Sequence, residues 1–323
     1  MIAAAVVPHC NRIDLLRELA ASLAAQTRPF DEWIVADNGS TDGSAEFAES
    51  AGARVLRLGR NLGFAAAVNR GIEAARADVV AILNNDVTLD GEWLDRMLAG
   101  MGDASFATGK ILRASDPSII DGAFDEISRA ACPHRCGAGK PDSAYWNKAR
   151  AIRFAPMTAA LFQRRLFEEI GLLDERFESY YEDIDFGLRC AAAGRSGVYL
   201  PDCVARHRGS ATLGAWNSDT VFFLSRNQVL LAAKYFRAES LWRIVAGQLL
   251  WGMLAVRHRA GYEWFRGKLH GLKSARRMDG ELAGALQDRL RTIIKASEHN
   301  IFEIQRQTGC DRYWRVYFCL LRR

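Results

Sequence analysis

The chain has 323 residues, 49% of them apolar and 25% charged, with a formal net charge of +5. Such proportions describe an ordinary soluble chain with one large core and an appendage. Seven cysteines, an odd number without regular spacing, speak against a disulfide framework and for a reducing compartment.

Met1 to Pro8 is a short apolar run without a basic leader and reads as a first strand rather than a signal peptide, placing the chain in the cytoplasm. Asn11 is then expected to cap a helix that puts Leu15, Leu16, Leu19 and Leu23 on one face and ends near Pro29. Further along come a strand over 33–36, a helix over 44–50, a strand over 54–58, a helix over 63–76 and a buried strand over 79–83. Strands alternating with helices imply an α/β fold with a mostly parallel central sheet flanked by helices.

The loop Asp37-Asn38-Gly39-Ser40-Thr41-Asp42 is rich in turn and capping residues. A helix cap and a nucleotide site are both consistent with it, because strand ends followed by helix N-termini bind nucleotides. Asp37 could accept from a base N–H, with the loop 60–63 completing the pocket. The apolar run Val79 to Leu83 stops abruptly at Asn84-Asn85-Asp86, so Asp86 sits either where a metal-bound diphosphate would lie or in a simple Asx turn.

Periodicity fades over 110–153, a stretch longer than a connection requires, which either borders an acceptor or is disordered. Cys132-Pro133-His134-Arg135-Cys136 within it lacks a second ligand pair and reads as a flexible loop rather than a zinc site. A strand is expected over 154–162, with Met157 to Ala160 beside a donor sugar.

Tyr180-Tyr181-Glu182-Asp183-Ile184-Asp185-Phe186-Gly187-Leu188-Arg189 holds three carboxylates in four positions at a helix mouth. Asp185 and Arg189 are four apart and can pair, leaving Asp183 the freest general base, although an acidic first turn also complements a helix dipole. After a short strand over 197–200, His207 stands between Arg206 and Arg208. Like charge there should lower its proton affinity and favour a metal-ligand form, unless it is a solvated surface histidine.

Residues 230–323 hold 18 Lys and Arg against 8 Asp and Glu, whereas residues 1–229 hold 25 against 30. A division into a catalytic portion, 1–229, and a basic helical C-terminal region, 230–323, follows. Trp242, Trp251, Tyr262, Trp264, Phe265, Trp314, Tyr317 and Phe318 lie among the basic residues and suit helices on an anionic membrane surface, with a homodimer interface as rival. The most apolar stretch, Leu241 to Val256, is interrupted by Arg243 and Gln248 and is too short to cross a bilayer. No nucleic-acid module is recognisable.

Taken in order, Asp37-Asn38-Gly39-Ser40-Thr41-Asp42, Asn61-Leu62-Gly63-Phe64-Ala65, Asn84-Asn85-Asp86, Glu182-Asp183 and His207 resemble the family 2 glycosyltransferases of the GT-A fold, in a rhamnosyltransferase-like branch. The resemblance covers roughly the first two thirds of the chain. It implies donor contacts from Pro8, Asn11, Asp37, Asn38, Asn61, Gly63, Asn69, Asn84, Asn85 and Asp86, with Asp37 on the pyrimidine of a dTDP- or UDP-sugar. It further implies a divalent cation, Mg or Mn, held by Asp86 and His207, and Asp183 as base with Glu182 beside it in an inverting displacement onto a glycan or lipid-linked acceptor. Asn84 departs from the acidic form of the metal motif, which weakens the metal expectation. Two rivals are a catalytically silent nucleotide-sugar-binding partner and a sugar-nucleotide nucleotidyltransferase, the latter disfavoured because Pro8-His9-Cys10-Asn11-Arg12 lacks a glycine-rich loop.

Overall fold

A computed structural model describes residues 1–209, 216–276, 278 and 284–321. The chain divides into two compact units, Met1–Phe124 with Gly137–Thr212, and Asp125–Cys136 with Leu213–Arg323. The expected boundary at 229/230 falls inside a continuous helix, and a short internal segment belongs with the C-terminal residues, which no composition shift announces.

The first unit runs β1 (Ala3–His9), α1 (Ile13–Ala24), β2 (Glu32–Asp37), α2 (Ser44–Ser50), β3 (Arg54–Arg57), α3 (Phe64–Ala74), β4 (Val79–Leu83), β5 (Val87–Leu89), α4 (Trp93–Met101), β6 (Phe106–Arg113) and β7 (Asp116–Gly122). After β8 (Asp125–Ile127) and β9 (Pro133–Arg135) of the second unit, it resumes with β10 (Arg150–Ile152), β11 (Ala159–Gln163), α5 (Arg164–Ile170), α6 (Glu182–Ala192) and β12 (Gly197–His207). The sheet order is β10-β12-β6-β11-β4-β1-β2-β3. Strands β12, β6, β4, β1, β2 and β3 point one way, and β11 runs antiparallel between β4 and β6.

Residues 3–7 and 79–83 are fully or almost fully buried, as strands covered on both faces require, which is why their sequences are unbroken apolar runs rather than alternations. Pro8 pairs with Ala36 but lies past the last pairing of β1 with β4 at Val6–Ile82, so its missing N–H breaks no bond on that side.

Several expectations need correction. Asn11 does not cap α1: the N-cap is Arg12 in a left-handed conformation, and the Ile13 N–H donates to Asp42 of the next loop at 2.9 Å. The stretch 110–153 contains β7, β8, β9 and β10, and its short irregular strands hide from periodicity because bulges shift the β6–β7 register twice. The strand expected over 154–162 begins only at Ala159, and the one expected over 197–200 continues to His207.

The second unit comprises β8 paired with β9, then α7 (Ser218–Tyr235), α8 (Leu241–Arg257), α9 (Gly261–Ala275), α10 (Gly284–Thr308) and α11 (Arg312–Leu321). Cys132 and Cys136 flank β9 and are buried, where a flexible loop was expected. The hairpin is clamped by the helices: Asn300 donates to Glu126 at 2.9 Å, Trp314 Nε1 to His134 Nδ1 at 3.1 Å, and Arg129 pairs with Glu239 at 2.9 Å. Trp314, Tyr317 and Phe318, expected on a membrane surface, form the core of this unit.

Lys268 of α9 donates at 2.7 Å to both Gln228 of α7 and Gln248 of α8, and burial pushes its ammonium down to about 7. A lysine with a folded-state pKa below its ordinary 10.5 costs stability at neutral pH, and that cost is relieved as pH rises toward the ordinary value. The difference in urea midpoint between the wild type and Lys268→Met is therefore expected to shift in favour of the wild type from pH 7 to pH 10. A pH-independent difference would rule this out.

Candidate functional site

Because β1, β2 and β4 are parallel, their carboxyl ends bring His9, Asp37 and Asn84-Asn85-Asp86 to one edge of the sheet, where open α/β sheets bind ligands. His207 joins them through β12, whose end pairs with Val87 of β5, while Arg208 N–H donates to the Asp86 carbonyl at 3.0 Å.

Asp86 and His207 meet directly, with Nε2 3.0 Å from the Asp86 carboxylate. The other ring nitrogen, Nδ1, lies 2.8 Å from Asp121 of β7. Burial opposes charge on this imidazole, but the hydrogen bonds to Asp121 and Asp86 outweigh it and push the pKa up to about 9. The expected lowering by flanking arginines does not occur, since Arg206 pairs with Asp90 and Arg208 with Glu18.

A carboxylate and an imidazole oriented by a second carboxylate are ligand types suited to a divalent cation, and Asn84 Oδ1, two residues before Asp86 in the chain, is buried and has no partner. Among the described residues no three His, Cys, Asp or Glu side chains form a complete metal cage, so a cation here would need ligand oxygens as well.

His9, not anticipated as a site residue, is buried, and burial lowers its pKa to about 4 against the pull of Asp37. Its Nδ1 lies 2.9 Å from the Asn85 amide, and its Nε2 is buried without a partner. A neutral ring nitrogen left without a partner at a strand end is rare in a folded interior and is visible only in three dimensions.

The amides expected on the donor mostly hold loops together. Asn11 Oδ1 accepts from Thr41 N–H at 2.9 Å; Asn38 donates to the Gly63 carbonyl and accepts from Leu62 N–H, both at 3.1 Å. Asn61 closes a turn onto Gly63 N–H at 2.9 Å. Asn69 is buried on α3, and its amide braces both backbone groups of Leu173 and the Glu175 carboxylate. Asp37 is buried, and its carboxylate receives Ser40 N–H.

Glu182 and Asp183 open α6. Asp185 is buried in an ion pair with Arg189 at 3.0 Å, as the spacing suggested, and Arg189 also donates to the carbonyls of Ile170, Gly171 and Leu172. Asp183 Oδ1 receives Ile184 N–H at 2.8 Å. The preceding turn is strained, with Glu178, Tyr180 and Tyr181 all at positive φ. Such strain persists only where neighbours enforce it. Here the enforcer is the start of α3: Ala65 N–H donates to the Glu178 carbonyl at 2.9 Å and Phe64 N–H to Ser179 Oγ at 3.3 Å.

Gly63 stands at this junction with φ of +90°, where a Cβ would come within 2.9 Å of the Glu178 carbonyl oxygen. Gly63→Ala is expected to cost about 1–3 kcal/mol in chemical denaturation and to lower turnover with it. An unchanged unfolding midpoint would refute the junction.

The chain is 29% identical over 284 residues to the N-acetylglucosaminyl-diphospho-decaprenol L-rhamnosyltransferase of Mycobacterium tuberculosis, covering 77% of this chain and 89% of that one. It is 27% identical to the O-antigen biosynthesis protein RfbC of Myxococcus xanthus over 64% of this chain but only 17% of the relative.

Among solved structures, the mannosyltransferase PcManGT of Pyrobaculum calidifontis in complex with GDP-Man and Mn2+ superposes with a TM-score of 0.54 at 17% identity, covering 98% of this chain and 85% of that one. GalNAc-T7 with UDP, GalNAc and Mn2+ gives a TM-score of 0.58 at 16% identity, covering 73% of this chain, which spans about half of that protein. These neighbours establish the GT-A fold. The model of glycosyl transferase family 2 matches residues 4–171, just over half of the 323 residues, and the chain belongs to that family.

Proposed function

We propose that the chain is an inverting glycosyltransferase that moves a sugar, rhamnose in the favoured reading, from a dTDP- or UDP-linked donor to a hydroxyl of a lipid-linked glycan intermediate. The observation that carries this reading is the Asp86–His207 pair at the carboxyl edge of a sheet whose neighbouring strand ends carry Asp37 and His9. The named activity of the Mycobacterium tuberculosis relative supports the sugar and the acceptor class.

In this reading Asp37 accepts from a pyrimidine N–H, and Asp86 with His207 would hold a divalent cation, Mg or Mn. That cation would offset the charge building on the leaving diphosphate. Asp183 takes the proton of the acceptor hydroxyl as the oxygen attacks the anomeric carbon. The new C–O bond forms on the face opposite the diphosphate, whose own bond to that carbon breaks, and the configuration inverts. Asp121 acts through His207, fixing which ring nitrogen faces Asp86.

A thermal-shift and product assay over a panel of nucleoside diphosphates and sugar nucleotides tests the reading. Pyrimidine nucleotides with Mn or Mg are expected to raise the melting temperature, since a ligand selective for the native state stabilises it, and one sugar nucleotide should yield product. A response limited to purine nucleotides would overturn the donor assignment, and binding without product would mean a silent partner.

A further inference from the structure

Helix α8 is inverted with respect to an ordinary surface helix. Its polar residues Arg243 and Gln248 are buried, and Gln248 is bonded to Lys268 of α9. Outside stand Leu241, Trp242, Val245, Leu249, Met253 and Val256, between 46% and 73% exposed. Helix α9, packed beside it in the same unit, repeats the pattern with Tyr262, Phe265, Leu269 and Leu272, between 46% and 71% exposed. The spacing of three or four residues gathers each set into one stripe.

The remaining exposed residues over 241–276 are all Arg, Lys or His, among them Arg257, Arg259, Arg266 and Lys273. Glu263, the sole acid in that stretch, is half-buried and paired with Arg266 at 3.5 Å. A face made only of apolar and basic side chains complements a surface that is apolar beneath and anionic on top. Trp242 and Tyr262 have the amphipathic rings favoured at that boundary. Among the described residues no helix is long and apolar enough to cross a membrane.

We propose that α8 and α9 form a membrane-docking face that lies in the headgroup region of an anionic bilayer. The inference deepens the lipid-linked acceptor reading, because such an acceptor resides in that bilayer, yet its test needs no donor and so fails separately. The full chain is sedimented with vesicles of phosphatidylcholine alone or mixed with phosphatidylglycerol. Binding is expected only to the mixed vesicles, falling with added salt.

The Leu249→Glu, Met253→Glu double variant changes two side chains that are more than half exposed, so its melting temperature should hold while vesicle binding weakens at least ~10-fold. Turnover of a short water-soluble acceptor should be unchanged in that variant. Absent vesicle binding, equal binding to neutral vesicles, or unaltered binding by the variant would overturn the proposal. So would a wild-type dimer that the same substitutions split, since the face would then belong to a second copy.

Discussion

Asp183→Asn is expected to lower turnover by about 100- to 10,000-fold, the usual worth of general-base assistance to a poor nucleophile such as a sugar hydroxyl. Asn keeps the shape and the acceptor oxygen that receives Ile184 N–H, so α6 should start as before and the donor should bind with little change. The loss should therefore appear in kcat rather than in donor affinity, as for an interaction made only in the transition state. Glu182→Gln separates position from chemistry: Glu182 is buried beside Asp183, so its replacement should lower stability as well as rate. Stopped turnover with intact donor binding supports Asp183 as base, whereas normal turnover of Asp183→Asn would refute it.

How much of this was legible before coordinates depends on how local each signal is. The alternation of strand and helix from Ala3 to Leu83 was readable because each element there is a regular period or a buried run, and α2 and β4 fall where the pattern puts them. Motif order carried the family. Asp121 was not readable: it lies on a bulged strand in a stretch without period, and its role exists only because β7 pairs with β6, which neighbours β12. His9 was equally silent, one residue after a proline at a strand end, until Asn85 arrived from 76 residues away. The direction of the His207 shift is set by spatial rather than sequence neighbours: Arg206 and Arg208 are occupied by Asp90 and Glu18, while two carboxylates hold the ring. The aromatic tail misled in part for the same reason, since composition cannot tell Trp314 in a core from Trp242 outside it.

Asp86→Ala is expected to abolish the effect of Mn on nucleotide-dependent thermal stabilisation and to reduce turnover by at least ~100-fold, because a cation at the leaving group contributes several kcal/mol of charge stabilisation. His207→Ala should follow it closely, since the two side chains are 3.0 Å apart and the described residues supply no third His, Cys, Asp or Glu to take over. Asp121→Asn should fall between these variants and the wild type, by ~10- to 100-fold in metal affinity, the range for a group that orients a ligating imidazole. The ordering is the informative part. A graded loss, largest at Asp86 and His207 and smaller at Asp121, with pyrimidine nucleotide still bound weakly through Asp37, is what a shared cation site requires. If chelation by EDTA leaves wild-type turnover intact and Asp86→Ala alone is inactive, Asp86 instead contacts the donor directly and no cation takes part.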